Sequence, residues 1–144
     1  MYAVLCFSFC ATAYNKSIKK KHELGDSCLC YYDTTLQKNV YTIAEQFPEY
    51  YGGMDKLSKF IFKNLKDITQ DITQGAFKVS ITLNENGKVI AQEIYKKKGE
   101  LTAMEREVLR VISLMPNWKP ARCQKKTICF KLTIPIYLRF SECE

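Results

Sequence analysis

The sequence predicts an α+β domain: a small three-stranded sheet, antiparallel or mixed, with two helices packed on one face. Three observations carry this. Residues 77–83 alternate apolar and polar and turn back through Asn84-Glu85-Asn86-Gly87 into "KVIAQEIY", the pattern of a hairpin of half-buried strands. Two stretches, 54–68 and 102–115, repeat apolar residues at spacings of three and four, which marks amphipathic helices. The terminal "FKLTIPIYLRF", residues 130–140, alternates strictly, as a strand does.

The elements follow in order. "VYTIAEQFPEYYGG" is a short extended piece that ends at Pro48 and the Gly52-Gly53 pair, a strong turn signal. In the first helix Met54, Leu57, Phe60, Ile61, Leu65 and Ile68 form one stripe, with lysines 56, 59, 63 and 66 on the other side. The hairpin stops at the loop 96–99. Thr102-Ala103-Met104-Glu105 is a capping box, in which the Thr102 hydroxyl and the Glu105 carboxylate each satisfy a free N–H at a helix start. Met104, Val108, Val111, Ile112 and Met115 then make the apolar stripe, and Pro116 ends the helix. The last strand is expected over 127–140.

A helix joins the second hairpin strand to the last strand, and such a crossover joins parallel strands. The last strand is therefore expected beside the first hairpin strand and antiparallel to it, in spatial order two-one-three. That makes it an edge, where Pro135 is tolerated because its N–H side faces outward. An edge reads in two ways. Lys131, Pro135 and Arg139 blunt it against aggregation, or the strand accepts a partner peptide as an extra strand.

Size and charge bound the rest. With 144 residues, 47% of them apolar, the chain has enough for one core without obligatory metal or disulfides. The net charge of +7 is spread over lysine clusters at 19–21, 96–98 and 125–126. No aromatic residues interleave with these clusters in a nucleic-acid-binding motif, so no nucleic-acid partner is expected. Residues 1–13 match a secretory h-region closed by Ala11-Thr12-Ala13, which predicts export, with a buried N-terminal strand as the alternative. Residues 14–39 read as a polar tail or linker, and 40–144 as the folded domain.

Cys6 and Cys10 would leave with the signal. Cys28, Cys30, Cys123, Cys129 and Cys143 remain, an odd set, so at least one is a free thiol or pairs between chains. A Cys123–Cys129 bridge across the start of the last strand and ordinary free thiols both stay open. Cys28-Leu29-Cys30 lacks C-x-x-C spacing and the only histidine, His22, sits in a lysine-rich stretch, so no metal is expected. The same scarcity of histidine, with no Gly-rich phosphate loop, argues against an enzyme. No cofactor is expected.

The segments "GAFKVSITLNENGKVIAQEIY", "AMEREVLRVISLMPNWKPA" and "FKLTIPIYLRF" together resemble the C-terminal domain of the TonB energy transducers. The likeness is greatest to the Bacteroidetes form with "FP…GG" before the first helix, and it runs from Ala44 to Phe140. The resemblance implies a periplasmic α+β domain that binds the N-terminal segment of a TonB-dependent outer-membrane transporter. That segment adds as a strand beside the last strand, and pulling transmits proton-motive force to the transporter. The partner-binding residues implied on the edge strand are Lys131, Thr133, Pro135, Tyr137 and Arg139. The glutamine-proline stretch that meets the transporter corresponds to Gln46-Phe47-Pro48-Glu49-Tyr50, which makes Gln46, Pro48 and Tyr50 contact candidates; a turn into the first helix is the alternative. Trp118 matches the aromatic after the second helix and is expected to anchor that corner by packing.

A transducer also needs a membrane anchor and a Pro-rich spacer. No proline precedes Pro48, and residues 14–39 fully extended reach about 90 Å. The expectation is a binding module, either detached or belonging to a larger system. The alternative from another class is a structural or regulatory module that forms a homodimer through the last strand.

Overall fold

The computed structural model describes residues 27–66 and 74–139. The expected signal segment, the lysines before residue 27, His22, Ile68, Phe140 and Cys143 lie outside them. The fold is α+β, with strands β1 (Leu29–Asp33), β2 (Lys38–Ile43), β3 (Gln74–Leu83), β4 (Val89–Ile94), β5 (Ala121–Cys123), β6 (Lys126–Ile128) and β7 (Phe130–Arg139), and helices α1 (Gly53–Asn64) and α2 (Ala103–Ser113). Five strands form one mixed sheet in the order β1-β2-β7-β3-β4, and β5 and β6 form a separate ribbon.

The expected order two-one-three is the β4-β3-β7 part of this sheet. β7 runs antiparallel to β3 in unbroken register from Leu83↔Phe130 to Gln74↔Arg139. Ile134, Ile136 and Leu138 of β7 and Val79, Ile81 and Leu83 of β3 pack in one core with Leu57 and Ile61 of α1 and Met104, Val108, Val111 and Ile112 of α2. Both helices therefore cover one face. The Thr102–Glu105 capping box is present, with both reciprocal bonds. Pro116 follows the last turn of α2, as its steric clash with the preceding residue requires.

Three expectations are corrected. The three-stranded sheet is a five-stranded one, because β1 and β2 add a hairpin at the β7 side. β1 falls inside residues 14–39, which looked like a polar tail. Its sequence shows no alternation because a marginal hairpin buries little on either face: only Val40 is fully buried, while Tyr32 and Leu29 are exposed. Asp33 closes the turn by accepting the N–H groups of Thr35 and Leu36 at 2.9 and 3.0 Å, a side-chain mimic of a backbone turn. The second correction is that 127–140 is not one strand. β6 pairs with β5, and the chain changes sheets at Cys129. Third, β7 is not an outer edge over its whole length, since β2 lies beside its first residues.

Clamps at the helix ends set the position of α1. Arg110 on α2 donates to the Asn64 carbonyl at 2.8 Å, and Glu107 accepts the Lys66 N–H at 2.8 Å. At the other end Gly53 donates to the Tyr50 carbonyl at 2.8 Å, and Gly52, at φ 89, occupies the left-handed region that glycine enters without strain.

Candidate strand-docking edge

The site is built from β7 outward. β2 and β7 pair in parallel at a single register point, Tyr41↔Phe130, where the Tyr41 N–H donates to the Cys129 carbonyl at 2.9 Å. Beyond it β2 ends at Ile43, and the chain turns away to pair with the segment after α2. Gln46 and Arg122 exchange main-chain bonds at 3.1 and 2.9 Å, as do Glu49 and Lys119 at 3.2 and 2.9 Å. Among the described residues no strand pairs with the outer side of β7 from Thr133 onward.

Which β7 groups face that open side follows from one bond. The Tyr95 N–H donates to the Lys78 carbonyl at 2.8 Å, so the main chain of Lys78 is turned toward β4. Lys78 stands opposite Pro135. In an antiparallel ladder bonded and non-bonded pairs alternate, and each residue turns its N–H and C=O to the same side. Pro135 therefore faces away from β3, and so do Thr133, Tyr137 and Arg139. Cys129, which bonds outward to β2, has the same parity. The missing proline N–H costs the β3 ladder nothing, which is why a proline sits in the middle of this strand.

Side chains sort by the same parity. Thr133, Pro135 and Tyr137 are exposed on the face away from the helices, with Tyr137 68% accessible. Lys131 is half-buried and bonded to Glu93 at 2.7 Å, and that hydrogen bond raises its pKa against the opposing effect of burial. Thr133 shares a 3.1 Å hydrogen bond with Ser80. On the helix face, a groove of about 210 Å³ runs beside the open edge, between Leu57, Ile61, Met54 and Phe62 of α1 and Ile134 to Leu138 of β7. Met54 and Phe62 are both more than 40% exposed there, so apolar surface borders unpaired main chain.

The other candidates fall elsewhere. Gln46 is exposed with its main chain bonded to Arg122, Pro48 is half-buried, and Tyr50 is buried. The Tyr50 ring packs edge-on against Trp118 at 5.2 Å, and burial raises its pKa. The stretch therefore delivers the chain into α1, and Tyr50 is a core residue. Trp118 is 2% exposed, and its Nε1 finds no acceptor among the described residues. Thr102 and Glu105 serve the α2 cap. Burial pushes Glu105 up, but its bonds to Lys97 and Thr102 bring it below the usual carboxylate range.

The cysteines are paired differently from the bridge considered on sequence. Cys123 joins Cys28, with 6.3 Å between Cα atoms, and ties the start of β1 to the β5–β6 ribbon. Cys129 is a buried thiol that burial pushes up to about 11. Cys123 is taken by Cys28, so Cys129 keeps a free thiol. Glu45 lies beside the bridge, its ligand atoms within 4.8 Å of both sulfurs. Its carboxylate is bonded to Ser27 and to the Gln124 N–H, and the sulfurs are bonded to each other.

No family model, curated protein or solved structure matches the chain. No helix among the described residues is long and apolar enough to cross a membrane.

Proposed function

We propose that this chain is a periplasmic, TonB C-terminal-like protein-binding module that takes up the N-terminal segment of an outer-membrane transporter as an added strand, in energy-coupled transport. The observation that carries the reading is the open side of β7. From Thr133 to Arg139 alternate residues turn their main-chain groups outward, and the apolar α1–β7 groove lies alongside. Main-chain bonds supply affinity in such an addition, and the flanking groove selects side chains. Lys131, Thr133, Pro135, Tyr137 and Arg139 border the added strand, with β2 limiting it at the Phe130 end. No catalytic step and no cofactor enter this function.

The test is amide hydrogen exchange on the full chain with a synthetic peptide copying the N-terminal segment of a TonB-dependent transporter. Protection of the Thr133 and Tyr137 amides is expected. Unchanged exchange at saturating peptide rejects the reading. The alternative is a structural or regulatory module that pairs with a second copy through β7; it predicts a dimer with the same two amides protected in the absence of peptide.

A further inference from the structure

We infer that Pro135 sets this edge against a second copy of β7 while leaving it open to a foreign extended segment, and that the chain's positive charge favours a neutral or acidic one. The inference rests on the strand-addition reading above. Thr133, Pro135, Tyr137 and Arg139 present the outward main-chain groups, and Pro135 brings a carbonyl without an N–H. A foreign strand laid along this edge, in either direction, meets one missing donor. Two copies laid edge to edge bring Pro135 twice. If the prolines face each other, that pair exchanges no bond at all. In any other register each proline leaves one bond unmade, so two bonds are lost either way.

Charge acts in the same direction. Each copy carries a net charge of +7, so two copies repel one another. A neutral or acidic segment avoids that repulsion.

The experiment uses the wild-type full chain and two synthetic peptides copying its own residues 130–139, one natural and one with Pro135→Ala. Restoring one donor tightens binding about 2- to 12-fold, the net value of one hydrogen bond. Sedimentation velocity of the Pro135→Ala chain is the second arm. There both donors return, and self-association rises about 5- to 160-fold over a wild type that stays monomeric. Near-UV circular dichroism checks that the variant folds; the β3 ladder is untouched, because position 135 faces away from it. A third arm, Tyr137→Pro, adds a second outward gap and weakens the transporter-segment peptide by about 2- to 12-fold.

Equal binding of the two self-peptides, or a wild-type chain that dimerises with Thr133 and Tyr137 protected, overturns the inference. If the transporter-segment peptide binds neither chain, the proposed function fails by itself, while the self-peptide comparison still decides what Pro135 does.

Discussion

Gly87 and Trp118 meet backbone to backbone: the Trp118 N–H donates to the Gly87 carbonyl at 2.8 Å, and a Cβ on Gly87 would lie 1.9 Å from the Trp118 carbonyl oxygen. This contact docks the β3–β4 turn onto the corner that follows α2. It joins the hairpin to the segment that leads into β5.

Gly87→Ala is therefore expected to destabilise the fold by about 2–4 kcal/mol, since both a positive φ and a backbone clash oppose the added methyl. Gly53→Ala is the control. Gly53 also has a positive φ, 76, but its Cβ would meet nothing within 4 Å. Its cost should be only the conformational strain, about 1–2 kcal/mol. Urea unfolding of the two variants checks the difference; equal losses would mean that the Trp118 contact contributes nothing.

The Cys28–Cys123 bridge spans a sequence separation of 95. Long closed loops gain most from cross-linking in the chain-entropy account. Replacing both cysteines with serine should lower stability by about 2–5 kcal/mol. Native-state alkylation with iodoacetamide should spare Cys129, whose buried thiol is held up at about 11, and label it only after unfolding. Rapid native labelling of Cys129 would contradict its burial.

Glu107 links the two helices. The Arg110 guanidinium holds its carboxyl down at about 2, with burial opposing and the Lys66 N–H assisting. A folded pKa below the unfolded one contributes stability that is complete above the unfolded value, 4.5, and is lost as pH falls through about 2. Glu107→Gln should cost about 1–3 kcal/mol at neutral pH. The gap between wild type and variant should close as the pH falls from 4.5 toward 2. A gap that does not vary with pH would remove the charge from the explanation.

Thr102→Ala should cost about 1 kcal/mol by exposing an unpaired N–H at the start of α2. Because Thr102 and Glu105 cap reciprocally, the double variant with Glu105→Ala should lose less than the sum of the two singles. Full additivity in thermal unfolding would show that the two act separately.

Much of the fold was legible because it is local. The capping box, the Asn84–Gly87 turn and the alternation of Ile134, Ile136 and Leu138 each depend on neighbours within a few residues. Pro135 even indicated an outward-facing position correctly. The β1–β2 hairpin was not legible. Among the described residues β1 pairs in the sheet with β2, both faces stay largely wet, and so no period of two was selected. Nor did any spacing rule connect Cys28 to Cys123 across 95 positions. Tyr50 read as a contact candidate, and only the packing of Phe60 and Trp118 around its ring shows it to be core.

The sequence by itself determined where chain segments become strand or helix, because φ/ψ sterics, caps and side-chain periodicity act within a few residues. Only the tertiary structure decided that β2 takes the first residues of the β7 edge and leaves it open from Thr133. That depends on register between segments far apart in the chain, where each main-chain group faces whichever neighbour the whole sheet supplies.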